Sequence, residues 1–242
     1  MRVILASASP RRREILSTFG VQFEILPANA DERSGIADPV ALVRELALRK
    51  ARAVREVLRA RGEWNAGALI IASDTVVENE GEILGKPKND ADAARMLRGL
   101  SGKTHRVVSG VALLCGERET AGADSTAVHF APMSEKDIEW YVRSGEPRDK
   151  AGAYAVQGLA ALFIKGIEGD YFNVVGLPVY CLDHLLLDFL GKHLTELGRS
   201  AQYPAPTALR RPPCGYRLTD TAFGGANRLI CHFGCAYRTF RL

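Results

Sequence analysis

The chain reads as an α/β protein built on a mixed β-sheet. Apolar segments of strand type alternate with segments whose apolar residues recur at helical spacing, from residue 2 to about residue 193. Two strand-type segments, 105–115 and 121–131, follow one another without a helix between them. That order predicts a hairpin, and so a sheet that is not purely parallel.

The first strand is 2–5, where Val3, Ile4 and Leu5 are continuously apolar. Pro10 stands at a first helical position, where a missing N–H costs no hydrogen bond, and opens a helix over 10–18. A strand over 22–26 follows, then a long helix over 39–60. At ~100° per residue, Val43, Leu46, Ala47, Val54, Val57 and Leu58 share one face of that helix. Leu69-Ile70-Ile71-Ala72 marks a buried strand over 68–77. A helix over 90–98, the two hairpin strands, a helix over 134–143, a Gly-rich loop, a strand over 161–166 and a helix over 178–193 complete the order. Ser101-Gly102-Lys103-Thr104 imitates the end of a P-loop, but Leu97 stands where its first glycine is required and a strand follows rather than a helix. It reads as a turn. Ile167–Pro178 reads as a tight turn into the last helix.

Bulk composition narrows the function classes. With 47% hydrophobic and 25% charged residues the 242-residue chain is an ordinary globular one. No apolar run approaches the ~18 residues of a bilayer span, and the short Val3–Ala6 stretch ahead of Arg11-Arg12-Arg13 does not read as a signal peptide. Five irregularly spaced cysteines do not form a disulfide framework, so a cytoplasmic location is expected. The net charge of +4 is misleading. Residues 198–242 hold seven arginines and one acid, Asp220, which leaves 25 basic and 27 acidic groups in residues 1–197. Local cations on a near-neutral body suit a small phosphorylated ligand better than nucleic acid, and no membrane contact is expected. The Arg/Pro/Gly-rich segment 198–242 sustains no period and reads as an irregular extension of a 1–197 domain. Its Cys214, Cys231, His232 and Cys235 match no strong zinc spacing.

The candidate chemistry begins at Ser7-Ala8-Ser9-Pro10-Arg11-Arg12-Arg13. A strand runs into a Ser-rich turn and a basic helix start, where free amides, the helix dipole and forked guanidinium donors together favour a phosphate. Lys50 falls in the middle of the apolar face of the long helix, so it must snorkel, lose its charge or meet an anion. A phosphate-filled cleft is the preferred reading. Asp74, in Ser73-Asp74-Thr75, stands inside or at the end of the buried strand, where an unpaired carboxylate is costly. Ligands gather at the carboxyl ends of strands in α/β sheets, so Asp74 is the first choice for a metal ligand or an activator of water; a capping aspartate at a bulge is the alternative. Gly85-Lys86-Pro87 projects Lys86 from a stiff loop, and Asp31-Glu32 alone is only an acidic pair. In the Gly-rich segment 144–158, Glu146, Asp149 and Lys150 offer charge to a ligand, and Gln157 has the donor and acceptor to read a base edge.

Taken together, Ser7-x-Ser9-Pro10-Arg11-Arg12, Lys50, Ser73-Asp74-Thr75, Gly85-Lys86-Pro87, Asp149–Tyr154 with Gln157-Gly158, and Val174–Pro178 resemble the Maf family of nucleoside triphosphate pyrophosphatases over about residues 1–190. The resemblance implies a two-lobed α/β fold like that of Maf and ITPase proteins, with an elongated mixed sheet flanked by helices and a central cleft, usually in a homodimer. It implies hydrolysis of a nucleoside triphosphate to monophosphate and pyrophosphate with Mg²⁺ or Mn²⁺. Arg11, Thr75 and the Gly152–Gly158 run resemble members acting on dTTP and UTP, so these and modified pyrimidine triphosphates are the expected substrates, with Arg11, Thr75 and Gln157 setting specificity. Ser7, Arg11, Arg12, Lys50 and Lys86 are expected on the phosphates, Asp74 as the proton acceptor, and Asp74 with Glu32 as metal ligands. The competing readings are a non-catalytic regulator of cell division (septum formation) and a nucleic-acid binder using the Arg-rich extension.

Overall fold

The computed structural model describes residues 1–198, so the extension and its cysteines lie outside the described residues. The elements, in chain order, are β1 (Val3–Leu5), α1 (Pro10–Thr18), β2 (Glu24–Ile25), α2 (Pro39–Ala60), β3 (Leu69–Asn79), β4 (Glu82–Leu84), α3 (Asp90–Leu100), β5 (Thr104–Cys115), β6 (Arg118–Phe130), α4 (Glu135–Arg143), β7 (Ile164–Glu168), α5 (Tyr171–Val175), α6 (Val179–Leu190) and α7 (Leu194–Leu197). The strands form one mixed sheet in the order β2-β1-β3-β5-β6-β7. β1 is parallel to β2 and β3, and the remaining pairs are antiparallel. The expected β5–β6 hairpin is present, closed at Gly116-Glu117 between the paired Cys115 and Arg118.

Two expectations are corrected, and one element is added. β4 was not foreseen; it folds back on the end of β3 through Glu80-Gly81, both at positive φ, with Glu78 Oε1 accepting from the Gly81 N–H at 2.7 Å. The strand expected over 161–166 starts later, at Ile164, because Leu159–Phe163 form a 3-10 turn. The tight turn expected over 167–178 is instead the end of β7 followed by α5, which Asp170 caps by accepting from Phe172 N–H at 2.7 Å. Ser101-Gly102-Lys103 is a turn, as expected.

Among the described residues, α2 is the one helix packed across one face of the sheet. Leu42, Val43, Leu46, Ala47, Ala51, Val54 and Leu58 are buried against it, while Val57 sits at the edge of that stripe. The other face carries two separate apolar clusters. One gathers Leu5, Leu69, Ile71, Val111 and Leu113 under α1, α5 and α6; the other gathers Val77, Val107 and Val128 under α3 and α4. Between them runs a buried polar seam of Ser73, Ser109, Thr126 and Asn173. Asn173 saturates it: its Nδ2 donates to Val107 O and Thr126 Oγ1, both at 2.9 Å, and its Oδ1 accepts from Ser109 N–H at 3.1 Å. Buried polar groups persist only when paired in this way.

Candidate active site

The site is a gap in the sheet. β1 and β4 pair with the same edge of β3, β1 with Leu69–Ile71 and β4 with Val77–Asn79. Among the described residues no strand covers that edge between Ala72 and Val76, and Asp74 is at the centre of the gap. Of the two placements left open, inside the strand or at its end, the structure has the first: Asp74 lies mid-strand, opposite Gly110 of β5. Pleating sends Ala72, Asp74 and Val76 toward α2 and Ser73 and Thr75 toward the polar seam. A cavity of about 900 Å³ opens here, and Ser7, Arg11, Arg12, Glu32, Lys50, Asp74, Thr75, Lys86, Lys150, Tyr154 and Gln157 all line it.

On the α2 side, Lys50 Nζ donates to Asp74 Oδ1 at 2.5 Å and to Glu32 Oε1 at 2.8 Å. The lysine on the apolar face thus meets an anion, but the anion is a pair of carboxylates of the protein. The Lys50 hydrogen bond holds the Glu32 carboxyl below the usual carboxylate range, against the cost of burial, with Lys86 and Arg12 adding to it. Asp74 is only 8% exposed, and what exposure it has faces the cavity.

On the other side, α1 starts at the rim. Its cap residue, Ser9, offers no side-chain bond to the helix amides. Ser7 Oγ instead accepts from the Ser9 N–H at 3.2 Å and from Arg12 Nη1 at 3.3 Å. Arg12 spans the cleft floor, donating from Nε to Gly176 O at 2.8 Å and from Nη2 to Thr75 Oγ1 at 3.1 Å. These bonds use three of its five N–H donors. Burial pulls the Arg12 pKa down, and Asp74 opposes the shift. Arg11 also lines the cavity, whereas Arg13 points to solvent.

The far wall comes from Asp149–Gln157. Gly152 and Ala153 are both left-handed (φ 67° and 62°). A Cβ on Gly152 would meet Val77 at 2.7 Å, so only glycine lets this turn press on β3. The reversal places Lys150 and Tyr154 on the cavity. Burial works against ionisation of Asp149, but its hydrogen bond with Lys150 and the nearby Arg11 outweigh it and hold the carboxyl below the usual range. Tyr154 OH shares a 2.8 Å hydrogen bond with His105 Nε2, a pair that the sequence did not announce. Lys86 and Gln157 are exposed and line the cavity. Glu146, expected to face a ligand, does not line the cavity at all.

The lining counts five cations against three carboxylates, a balance suited to a polyanion. No cluster of three or more His, Cys, Asp or Glu side chains occurs among the described residues. Asp74 and Glu32, joined through one ammonium, offer a hard-oxygen pair. That fits Mg²⁺ or Mn²⁺, which bind through one or two carboxylates together with substrate phosphates. No helix among the described residues is long and apolar enough to cross a membrane.

Comparison with known proteins gives a consistent picture. The family described as "Maf-like protein" matches residues 2–189. A dTTP/UTP pyrophosphatase of Symbiobacterium thermophilum is 48% identical over 189 residues, covering 78% of this chain and 94% of the relative. Proteins of the same description from Thermococcus kodakarensis (50% identical; 73% and 91% covered) and Moorella thermoacetica (49%; 78% and 95%) are similar to the same extent. Among solved structures, the Staphylococcus aureus Ham1 protein matches with a TM-score of 0.40 and 14% identity over 54% of this chain and 72% of that one, too remote to carry an argument.

Proposed function

The chain belongs to the Maf family, and from that premise we propose that its cleft hydrolyses dTTP and UTP to the nucleoside monophosphate and pyrophosphate, removing these and modified pyrimidine triphosphates from the nucleotide pool. The observation that carries the reading is Asp74: a nearly buried carboxylate in the gap of the sheet, ringed by the cations of a cavity large enough for a nucleotide.

The chemistry follows from the residues. The triphosphate lies among Ser7, Arg11, Arg12, Lys50 and Lys86, whose donors stabilise the charge that grows on phosphate oxygens as the α–β bridge breaks. A water oxygen bonds to the α-phosphorus, the bond from the α-phosphorus to the bridging oxygen breaks, and Asp74 accepts the water's proton. Lys50 donates to the Asp74 carboxylate and fixes its orientation, and Glu32 takes the second side of that ammonium. Asp74 and Glu32 would hold a divalent cation, which when bound neutralises phosphate charge and acidifies coordinated water. Arg11, Thr75 and Gln157 would set base choice, with the Gln157 amide matching the acceptor–donor edge of a pyrimidine. The resemblance to the family supports a homodimer, and the irregular cysteine spacing supports a cytoplasmic location. The cleft favours catalysis over the non-catalytic regulator, since Ser7, Arg11, Arg12, Lys50, Asp74 and Lys86 all line the cavity.

Hydrolysis of dTTP in ¹⁸O-water with Mg²⁺ tests the reading. One ¹⁸O is expected in dTMP and none in pyrophosphate. Label in pyrophosphate, or release of single phosphates, would contradict it.

A further inference from the structure

The turn that carries Gln157 is held from behind by two residues without a place in the chemistry above. Tyr141, on α4, is fully buried, and its OH accepts from the Ala155 N–H at 3.2 Å and donates to Glu146 Oε1 at 2.7 Å. Glu146 Oε2 accepts from the Leu159 N–H at 3.0 Å. The Gly158 N–H closes the turn on Ala155 O at 3.1 Å. A Cβ on Gly158 would lie 2.2 Å from Glu146 Oε2, so the carboxylate is seated directly against the glycine backbone. One phenol and one carboxylate therefore grip both ends of the turn 155–158, while its opposite side faces the cavity with Ala155, Val156 and Gln157.

We infer that Tyr141 and Glu146 are positioning residues for nucleobase selection, fixing the turn so that the Gln157 amide meets the base edge at one depth and angle. Their grip costs no catalytic group, and a base-reading amide discriminates only when its backbone is held. The inference rests on the reading of Gln157 as the base contact.

The test compares Glu146→Gln, Tyr141→Phe and Gln157→Ala in the full chain. Glu146→Gln keeps the shape but sets a donor against the Leu159 N–H; Tyr141→Phe keeps the buried ring and removes both bonds. The expected result for both is a KM for dTTP raised about five-fold with kcat little changed, and a similar fall in the ratio of kcat/KM for dTTP to that for dATP. Faster amide hydrogen exchange at 155–160 should accompany it. If Gln157→Ala lowers the ratio and the other two do not, the inference is overturned and the base reading stands. If Gln157→Ala itself leaves the ratio unchanged, the base reading fails and takes the inference with it. Unaltered exchange at 155–160 in both folded variants would also overturn it.

Discussion

His105 ties one wall of the cleft to pH. Its imidazole is buried between Phe130 and Tyr154, bonded through Nε2 to the Tyr154 OH, with Nδ1 unpartnered among the described residues. Burial pulls its pKa down to about 4, with His129 adding and Glu78 opposing. A histidine whose folded pKa lies below its unfolded value of 6.5 contributes stability in full above pH 6.5, and that contribution is lost as the pH falls toward 4. The loss amounts to about 3 kcal/mol. Urea unfolding between pH 7 and pH 4.5 should therefore show a steeper decline for the native chain than for His105→Phe; parallel curves would remove His105 from the acid response. The histidine's role was not legible in the sequence, because a lone polar residue on a strand does not say what will pack over it. Lys50 and Asp74 were legible, because each breaks an apolar pattern of known period. Glu146 was misread for the converse reason: in a Gly-rich loop no period says which side chains face inward.

At the scale of elements, α2 and β5 set the distance on which the site depends. Gly110 stands directly across from Asp74 in the sheet, and a Cβ there would fall 2.4 Å from the carbonyl oxygen of Val43. The missing side chain lets α2 press its backbone onto the sheet, and two turns further along Lys50 reaches Asp74. Gly110→Ala should push the helix away, lowering stability by about 2–3 kcal/mol and dTTP hydrolysis with it, as urea titration and steady-state rates would measure. Native values for both would show that this contact does not position the site. The long elements were readable, since α2, β3, β5 and β6 each span enough residues to display a period. β4 and α5, with three and five residues, do not. They form because a positive-φ turn and an Asp170 cap favour them locally and tertiary pairing completes them.

For the molecule as a whole, the cleft arises from topology. Two short strands, whose starts at Val3 and Glu82 are far apart in the chain, occupy opposite ends of one edge of β3 and leave the middle open. Such long-range pairing has no local signature, so the sequence supplied the site's residues through motif resemblance and not the gap that unites them. The extent of the relatives bears on the extension: segments amounting to 73–78% of this chain cover 91–95% of theirs. We propose that residues 1–197 are the catalytic domain, and a chain ending at Gly198 should retain kcat/KM for dTTP within about two-fold, a ten-fold loss marking the extension as part of the working enzyme. The central claim, that Asp74 activates water in a cationic gap of the sheet, is tested most directly by the rate of pyrophosphate release from dTTP in Asp74→Asn. The isosteric amide keeps the packing but takes up no proton, so turnover should fall about 10³-fold while the folded protein still binds dTTP; turnover near the native rate would contradict the account.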